Sequence, residues 1–466
     1  MSSGSKPAIV GELRVPGDKS TTQRVLLLAA MAEGETLARG ALRAGDTLAT
    51  AGVVAALGAR VAWEEAAAGP TLRVQGAPAP ASPSAPLDCG NAGTCARLLL
   101  GLLAGHDGAW TLTGDDSLRR RPMARVVEPL ATLGARIDPA APGGSPDRLP
   151  LTVQGAPLRG GHIEVALPSA QVKSALLLAG LRADAPLAVL QHVPTRDHTE
   201  RLLPRFGARV EVEAAAVTVH PGALRGATLD VPGDPSSAAF PLLAALLVPG
   251  SELWLRDVGL WPRRTGFLRT LLAAGADVMV LHRRATSAHA FAGVAAGAAR
   301  ETTGPVVLGE TAGTRAYAGP PDDDPRGDLR VTASTLAAFD IAPEDVPDLI
   351  DEVPLLALAA ARARGTSHFR GLAELRVKES DRLATTVELL SALGVPTRVR
   401  GDGLQIEGVP ELREPAHWPV FDDHRLALCC AVAALVEGWR MPQREALATG
   451  EVSYPGFAGS LEALRA

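Results

Sequence analysis

The sequence is poor in aromatic side chains, in cysteine and in lysine. Aromatic residues make up 3% of the chain and the formal net charge is −5, so neither base stacking nor a general affinity for polyanions is expected. We therefore predict no nucleic-acid partner. The four cysteines are Cys89, Cys95, Cys429 and Cys430. Their spacing matches no metal-ligand pattern, and their small number predicts a reducing compartment, the cytoplasm.

A long apolar segment is also lacking. No uninterrupted run approaches the length of a bilayer-spanning helix, and residues 1–6 are polar rather than signal-like, so no membrane association is expected. What is present is a globular composition of 466 residues, 47% of them apolar and 21% charged. That length favours two or three domains.

Lysine is scarce in a chain with 46 basic residues: the lysines are Lys6, Lys19, Lys173 and Lys378. The last three lie in motif-like stretches. A lysine ammonium can release a proton once its surroundings lower its pKa, whereas an arginine guanidinium cannot. The scarcity indicates that at least one retained lysine handles protons, with codon bias as the alternative explanation.

Internal repeats are the main indication of the fold. Six units, most of them about 70 residues long, each contain a strand, a polar turn, an Ala/Leu-rich helix, a second strand, a second helix and a hairpin. The units open near Gly11, Leu87, Pro168, Val231, Leu349 and Phe421. Extra residues in the fourth unit, 283–326, predict a surface insertion. The pattern predicts an α/β fold of six βαβαββ units in two lobes.

The polar turn of each unit lies where a strand meets a helix. The first example, Pro16-Gly-Asp-Lys-Ser20, places Lys19, Ser20 and Arg24 at the start of a helix. Free backbone N–H groups and the helix dipole favour an anion at that position. If these turns gather at one end of each lobe, two facing lobes enclose a cleft suited to a ligand with several negative charges.

Cations are concentrated in these turns and at the starts of the second helices. Any one of them alone is most simply a solvated surface charge, but the set indicates a focused positive field for phosphate and carboxylate groups. The cations are Lys19, Arg24, Arg97, Arg121, Arg196, Lys378, Arg382 and Arg425, and the accompanying carboxylates are Asp46, Asp351, Glu379, Asp381 and Asp423.

Two other motifs for phosphate or metal do not fit. Gly17-Asp-Lys-Ser20 resembles the end of a P-loop, but Asp18 separates the glycine from the lysine and Glu12 stands where the loop needs its first glycine. Asp422-Asp-His424 offers a lone histidine beside two acids. We predict neither a metal nor a cofactor.

Several motifs together resemble those of the 5-enolpyruvylshikimate-3-phosphate (EPSP) synthase family of enolpyruvyl transferases. In the order of that family they are Pro16-Gly-Asp-Lys-Ser20, Gly90-Asn-Ala-Gly-Thr94 with Arg97, Arg121-Pro-Met123, Ser169-Ala-Gln171, Arg376-Val-Lys-Glu-Ser-Asp-Arg382 and Asp423-His-Arg425. The resemblance covers residues 11 to 464 apart from 282–327. It implies a two-lobed inside-out α/β barrel with three repeats per lobe. Residues 1–16 and 232–466 would form one lobe and residues 17–231 the other, with the active site between them.

The resemblance also implies a reaction. The enolpyruvyl (carboxyvinyl) group of phosphoenolpyruvate moves to the 5-hydroxyl of shikimate 3-phosphate, and phosphate leaves a tetrahedral intermediate. This step belongs to the shikimate pathway to chorismate and the aromatic amino acids. Two phosphorylated carboxylates require a cationic site, and two groups must exchange protons with the hydroxyl and the methylene carbon. The expected partners are these two small molecules, and a monomer is expected.

Residues that match the family's motifs take the family's roles by this resemblance. The expected catalytic residues are Asp351 toward the 5-hydroxyl, Glu379 toward the methylene carbon, and Lys19. The expected shikimate 3-phosphate contacts are Lys19, Ser20, Arg24, Ser169, Ala170, Gln171, Arg196, Asp351 and Lys378. The expected phosphoenolpyruvate contacts are Lys19, Gly93, Arg97, Arg121, Gln171, Arg382 and Arg425. Lys173, inside a helix, is expected to be structural.

The chain departs from the family pattern at two places. Thr22 and Gln23 stand where many members have Ser and then Asn or His. Since Thr22 keeps a hydroxyl, a contact to phosphate is expected. Val452 and Ser453 precede Tyr454 where many members carry a lysine, so one cation for phosphoenolpyruvate is expected to be missing.

Three alternatives stay open on the sequence alone. A carboxyvinyl transferase could use another hydroxyl acceptor, although the relative that uses UDP-N-acetylglucosamine has a catalytic cysteine loop that Cys89 and Cys95 do not match. An RNA 3′-phosphate cyclase, built from related units, would need a nucleotide-accepting histidine and a basic face. A non-catalytic paralogue that binds a phosphorylated metabolite would not require Asp351 and Glu379 to be intact.

Overall fold

A computed structural model describes residues 7–66, 69–166, 168–283 and 325–465. Nearly all of the predicted insertion, 283–326, lies outside these ranges. Up to residue 230 the elements are β1 (Val10–Leu13), α1 (Lys19–Ala30), β2 (Ala32–Glu33), β3 (Glu35–Arg39), α2 (Gly45–Ala56), β4 (Arg60–Glu64), β5 (Thr71–Gln75), β6 (Leu87–Asp88), α3 (Gly93–Ala104), β7 (Ala109–Thr113), α4 (Asp116–Arg120), α5 (Ala124–Thr132), β8 (Arg136–Pro139), β9 (Leu151–Gln154), β10 (Gly161–Val165), α6 (Ala170–Gly180), β11 (Leu187–Gln191), α7 (His198–Arg205), β12 (Val210–Val212), β13 (Ala216–Val219), β14 (Leu224–Arg225) and β15 (Thr228–Asp230).

The remaining elements follow the same alternation up to the last unit. They are α8 (Pro235–Leu247), β16 (Glu252–Gly259), α9 (Gly266–Ala273), β17 (Asp277–Arg283), β18 (Arg326–Thr332), β19 (Asp340–Ile341), α10 (Val346–Leu349), α11 (Val353–Arg362), β20 (Thr366–Phe369), α12 (Arg382–Ala392), β21 (Thr397–Arg400), β22 (Gly403–Glu407), α13 (His424–Glu437), α14 (Arg444–Leu447) and α15 (Phe457–Glu462). In the part of the chain that the structure describes, four 3₁₀ turns also occur, at Pro262–Arg264, Ile350–Glu352, Ala373–Val377 and Ala448–Val452.

One sheet topology occurs five times among the described residues. A strand pairs in parallel with its neighbour, and an antiparallel hairpin continues the sheet beyond it. The strand orders are β15-β3-β5-β4, β6-β7-β9-β8, β10-β11-β13-β12, β1-β16-β18-β17 and β19-β20-β22-β21. Buried and exposed positions alternate along strands such as β3 and β5, as expected for sheets with one face on a core and one in solvent.

The last of the six predicted units differs from the others because residues 423–465 contain no strand. They form α13, α14 and α15 instead. After α13 the chain meets glycines and prolines at Gly438, Pro442, Gly450, Pro455 and Gly456. These residues interrupt any alternating run long enough for a sheet strand.

Two hydrophobic cores hold the molecule together, and each is built around three central helices. The first core contains α1, α3 and α6, which are buried on nearly all sides, as expected for helices that are apolar all round. The helices α3 and α6 touch so closely that a Cβ on Gly101 would lie 1.9 Å from the Ala175 carbonyl oxygen. The second core contains α8, α11 and α13 in the same way.

The chain passes twice between the two cores. Strand β1 belongs to the sheet of β16, although α1 that follows it lies in the other core, and β15 pairs with β3, although α8 that follows it does not. The two connecting segments lie side by side. The Asp18 N–H donates to the Pro232 carbonyl at 2.8 Å, and the Asp234 N–H donates to the Pro16 carbonyl at 2.9 Å. None of the helices in the described ranges is both long and apolar enough to cross a bilayer.

Candidate active site

A cavity of about 360 Å³ lies between the two cores. Its walls include the first turns of α1, α3 and α6 on one side and the turn at Asp351 with the first turns of α12 and α13 on the other. Every residue given a catalytic or substrate-binding role in the sequence analysis, apart from Thr22, lines this cavity: Lys19, Ser20, Arg24, Gly93, Arg97, Arg121, Ser169, Ala170, Gln171, Arg196, Asp351, Lys378, Glu379, Arg382 and Arg425. The predicted gathering of helix N-termini is confirmed.

Asp18 fixes the start of α1, and with it Lys19. The Asp18 carboxylate caps the helix by accepting from the Thr21 N–H at 2.6 Å. The backbone N–H of Lys19 donates to Asp234 at 3.1 Å, and its ammonium contacts the Asp46 carboxylate at 3.0 Å. Lys19 is therefore held at both its backbone and its side chain.

The expectation that Thr22 contacts phosphate is wrong. Its side chain is fully buried, its hydroxyl donates to the Asp18 carbonyl at 2.8 Å, and the same oxygen accepts from the Leu42 N–H at 3.0 Å. Thr22 lies two residues after Ser20 and two before Arg24, about 200° around the helix from both, so its side chain faces away from the cavity that those two residues line. The hydroxyl thus serves the local fold.

Arg24 is held from several directions on the same wall. Its guanidinium donates to the Thr199 hydroxyl at 2.8 Å, to the Ser174 hydroxyl at 3.2 Å and to the Ser20 carbonyl at 3.0 Å. Burial lowers the pKa of Arg24 to about 10, so the group stays charged at neutral pH. Ser169 caps α6 by accepting from the Val172 N–H at 3.4 Å.

Arg97 and Arg121 form a second cationic group beside Gly93. Arg97 donates to the Gln171 side-chain oxygen at 3.0 Å, and Arg121 donates to the Asn91 side-chain oxygen at 2.5 Å. Burial, with the charge of Arg121, lowers the pKa of Arg97 to about 10. The Nε atoms of both arginines are buried without a hydrogen-bond partner among the described residues, so both have donor capacity left for ligand oxygens.

Gly93 leaves room for this pair of guanidinium groups. A Cβ at Gly93 would lie 2.9 Å from Arg97 Nη1 and 3.0 Å from Arg121 Nη1. Both distances are shorter than ordinary van der Waals contact. A larger residue would therefore displace the two groups that are expected to bind phosphoenolpyruvate.

Asp351 is surrounded by cations. Its carboxylate lies 2.8 Å from Arg196, 3.2 Å from Arg382 and 3.7 Å from Arg425. Burial alone would raise the pKa of Asp351, but the nearby charges, that of Arg425 most strongly, bring it well below its ordinary value. Asp351 is thus ionised in the free protein.

Glu379 occupies the corresponding position on the other side of Arg382. Its carboxylate lies 2.5 Å from Arg382 and 3.5 Å from Arg121. Burial would raise its pKa, but the guanidinium groups of Arg382 and Arg121 bring the pKa well below the ordinary value. One guanidinium therefore contacts both carboxylates that are expected to exchange protons.

Asp423 holds Arg382 in this position. The Arg382 side chain is 1% exposed, and its Nε donates to Asp423 at 2.7 Å. Asp423 also caps α13 by accepting from the Arg425 N–H at 3.0 Å. Its neighbour His424 has a pKa of about 4 because of burial and the charge of Lys19. Within the described ranges, no group of three histidine, cysteine or acidic side chains is arranged to hold a metal.

Lys378 and Lys173 differ in their position relative to the cavity. Lys378 lines the cavity, and burial lowers its pKa although Asp351 opposes that shift. Lys173 is 1% exposed and pairs with Glu200 at 2.5 Å beneath the site, which confirms the structural role expected for it. Val452 and Ser453 precede Tyr454 in the chain, and Ser453 borders a small recess with Lys19 and Arg425.

Four charged residues at the base of the site were not predicted from the sequence: Asp18, Asp234, Arg264 and Glu352. Asp18 and Asp234 end identical Val-Pro-Gly-Asp segments at residues 15–18 and 231–234, a repetition that could have pointed to them. Glu352 pairs with Arg425 at 3.3 Å. Arg264 lies in a 3₁₀ turn with no motif around it, so no local signal marks it.

Comparison with known proteins gives consistent results. A model of the family described as EPSP synthase (3-phosphoshikimate 1-carboxyvinyltransferase) matches residues 5–302 and 310–461. The match therefore includes most of residues 282–327. The expectation that the family resemblance excludes this segment was wrong. A protein of Thermus thermophilus named 3-phosphoshikimate 1-carboxyvinyltransferase is 47% identical over 96% of this chain and 94% of its own length. One from Acidiphilium cryptum is 45% identical over 96% and 93%.

Solved structures agree on the fold. The EPSP synthase of Acinetobacter baumannii superposes with a TM-score of 0.75 at 32% identity, covering 99% of this chain and 97% of that one. The enolpyruvyl transferase NikO of Streptomyces tendae, at 16% identity, has a TM-score of 0.71 over 99% and 96% and shares the two-lobed α/β fold. With a family match over most of its length, and with the family's motifs gathered in one cavity, this chain belongs to the EPSP synthase family.

Proposed function

We propose that this protein transfers the enolpyruvyl group of phosphoenolpyruvate to the 5-hydroxyl of shikimate 3-phosphate and releases phosphate. The observation that carries the proposal is the position of Arg382 between Asp351 and Glu379, at 3.2 Å and 2.5 Å. An oxyanion bound at this guanidinium lies between a proton acceptor and a proton donor. This is the arrangement that addition to a double bond followed by elimination requires.

Charge complementarity supports binding of both substrates. Each substrate carries a phosphate and a carboxylate, and the cavity offers guanidinium and ammonium groups on both walls. We assign shikimate 3-phosphate to Lys19, Ser20, Arg24, Ser169, Ala170, Gln171, Arg196, Asp351 and Lys378. We assign phosphoenolpyruvate to Lys19, Gly93, Arg97, Arg121, Gln171, Arg382 and Arg425. Planar guanidinium forks bind phosphate and carboxylate through paired hydrogen bonds.

Substrate anions compete with Asp351 and Glu379 for the same arginines, and this competition makes the proton transfers possible. In the free protein Asp351 and Glu379 are ionised because arginines neutralise them. Substrate anions that bind Arg121, Arg382 and Arg425 share those charges, so the pKa of each carboxylate rises toward the range useful in catalysis. Substrate binding thereby converts two weak bases into groups that can accept or deliver a proton.

The two carboxylates carry opposite proton transfers in each turnover. Glu379, protonated from solvent when its pKa rises, delivers that proton to the methylene carbon while the 5-hydroxyl oxygen attacks the adjacent carbon and loses its proton to Asp351. The tetrahedral intermediate carries both the phosphate and the new ether bond. Elimination breaks the bond from carbon to phosphate oxygen and returns a proton from the methyl group to Glu379. When the products leave and the arginines again neutralise both carboxylates, Asp351 and Glu379 release their protons to solvent. Lys19, between the two substrates, stabilises the charge on the departing phosphate.

The lobe boundaries belong to the same proposal. We place residues 17–231 in one lobe and residues 1–16 with 232–466 in the other, each around its own core. We also propose that the protein is active as a monomer. The four cysteines are free and buried, in keeping with a cytoplasmic location.

The direct test combines the purified protein with phosphoenolpyruvate and shikimate 3-phosphate. We expect phosphate release that depends on the acceptor, with a product heavier than shikimate 3-phosphate by one carboxyvinyl group. Binding of both substrates without release would instead indicate a non-catalytic paralogue. Absence of both binding and release would indicate another acceptor, and either result would overturn the proposal.

A further inference from the structure

The two segments that join the cores are near copies of each other. Each reads Val-Pro-Gly-Asp, and each ends in an aspartate that caps the helix that follows. Asp18 accepts from the Thr21 N–H in α1, and Asp234 accepts from the Ser236 N–H in α8 at 2.8 Å. The segments bond to each other in antiparallel fashion at Gly17 and Gly233, which brings two buried carboxylates close together.

Arg264 supplies the positive charge that both carboxylates share. Its side chain is 4% exposed, and its Nη2 lies 2.7 Å from Asp234 and 3.6 Å from Asp18. The same nitrogen donates to the Ser236 hydroxyl at 2.9 Å. A buried cation in contact with two buried carboxylates compensates charges that burial alone would make very unfavourable.

The same guanidinium reaches the reacting groups. Its Nη1 lies 3.7 Å from the Asp351 carboxylate. Asp234 accepts the backbone N–H of Lys19, and Asp18 directly precedes Lys19 as the cap of α1. Arg264 therefore pairs directly with Asp351, is linked to Lys19 through Asp234, and contacts the aspartates of both connecting segments.

The pKa of Asp18 depends on the charge of Arg264. Burial and the charge of Asp234 raise the pKa of Asp18 to about 6, while Arg264 opposes the rise. Two other groups face Asp18. His198 lies 3.6 Å away with its pKa lowered well below the usual value by burial, and Arg24 lies on the next turn of α1. Without Arg264 the nearest compensating cation is lost.

We propose that Arg264 is a positioning residue for the transfer reaction, which holds Asp18 and Asp234 as the caps that place Lys19 and at the same time links them to Asp351. The proposal rests on the proposed function, because its kinetic effect is read on that reaction. It concerns the arrangement of the site rather than a direct contact with substrate.

The kinetic test compares Arg264→Met and Arg264→Lys with Arg263→Met. Arg263 is the adjacent residue of the same turn and pairs with Asp348 at 3.4 Å, away from the connecting segments. We expect Arg264→Met to lower kcat by about 100-fold, because a displacement of about 1 Å of catalytic groups has an effect of that size, with KM for both substrates changed less than kcat. Arg264→Lys should recover part of kcat because it restores the charge without the fork.

A second measurement needs no substrate and separates this proposal from the proposed function. Loss of Arg264 raises the pKa of Asp18 further, so the folded state keeps its proton to higher pH than in the wild type. Since a raised carboxyl pKa favours folding at low pH and loses that advantage as pH rises, the unfolding midpoint of Arg264→Met should fall relative to Arg263→Met between pH 6 and pH 8. If the wild type shows no turnover, the proposed function fails while this shift still tests Arg264.

Specific outcomes would overturn the inference. An Arg264→Met protein with the kcat of Arg263→Met, or with a parallel pH dependence of unfolding, contradicts it. Should Arg264→Met not fold, Arg264→Lys decides the question. A reduced kcat at a wild-type unfolding midpoint supports a positioning role, and an unchanged kcat and KM excludes one.

Discussion

Glu379 is a carboxylate whose proton affinity depends on what its neighbours bind. In the free protein Arg382 and Arg121 keep Glu379 ionised. Glu379 therefore cannot deliver a proton until phosphoenolpyruvate binds these two arginines. This coupling protects the site from unproductive protonation. It also makes Glu379 the side chain whose replacement is most informative, since an amide keeps the shape but neither holds nor releases the proton.

Replacement of Glu379 by glutamine is expected to lower kcat by about 10²–10⁴-fold, the range that proton transfer by a positioned group contributes. KM for phosphoenolpyruvate should stay the same or fall, because Arg121 and Arg382 lose a competing anion. Steady-state kinetics against Glu388→Gln, an exposed position on α12, provides the matched control. Unchanged turnover in Glu379→Gln would show that another group protonates the methylene carbon.

Gly93→Ala is expected to raise KM for phosphoenolpyruvate by about tenfold, a loss of roughly 1.4 kcal/mol in binding. The added methyl group meets Arg97 and Arg121 at 2.9 Å and 3.0 Å and pushes both guanidinium groups away from their ligand. KM for shikimate 3-phosphate should change by less than twofold, since none of its proposed contacts lies on α3, the helix that Gly93 begins.

The control is Gly52→Ala on α2, where a Cβ has nothing within 4 Å. Equal effects of the two substitutions on KM would mean that the contact with the arginines does not govern binding. A larger effect on the acceptor than on phosphoenolpyruvate would contradict the assignment of the two subsites.

At the scale of elements, the starts of the helices were predictable and the base of the site was not. An aspartate cap followed by an apolar run predicts a helix start from the local sequence alone. This pattern occurs at Pro16-Gly-Asp-Lys-Ser20 and at Asp423-His-Arg425, and α1 and α13 begin there. Arg264 acquires its role only when two distant segments pair. Thr22 was misjudged because a motif fixes residue type, whereas the side chain's direction depends on its place in the turn.

The sheets show the same limit. In five units, alternating polar and apolar residues and the turn residues between them predict the strands, and these strands form. The sixth was predicted in the same way as the others, but its residues after α13 lack the alternating pattern that a strand needs. Internal repeats predict the overall architecture well. Each repeat forms its strands, however, only where its own sequence has the alternating pattern.

The pairing of α6 with α7 gives a prediction about stability. Lys173→Met leaves Glu200 buried without its cation, so we expect the free energy of unfolding to fall by about 3–5 kcal/mol. Denaturant unfolding provides the measurement. The double substitution Lys173→Met with Glu200→Leu should recover most of the loss, because it removes both charges.

Catalysis should respond differently from stability in these variants. Lys173 pairs with Glu200 beneath the cavity rather than lining it, so kcat per folded molecule in Lys173→Met should remain within a few-fold of the wild type. A loss of kcat comparable to that of Glu379→Gln would place Lys173 in the reaction after all.

At the scale of the whole molecule, the cavity is built from both cores, so its ligands connect them. Shikimate 3-phosphate at 100 times its Kd should increase the free energy of unfolding by about 2.7 kcal/mol, measured by thermal denaturation. Unphosphorylated shikimate at the same concentration should stabilise less, because it lacks the phosphate that the cationic walls of the cavity are proposed to bind. Equal shifts for the two compounds would contradict the phosphate subsite.

The central claim is that two carboxylates on either side of Arg382 exchange protons with the substrates in an addition followed by an elimination. The most direct measurement runs the reaction in deuterated water and determines the mass of the product. The methyl group of the tetrahedral intermediate contains one solvent-derived hydrogen, so the account predicts deuterium in the methylene group of the product. A product that forms at full rate without any deuterium there would show that the methylene carbon is never protonated from solvent through Glu379, and would contradict the mechanism.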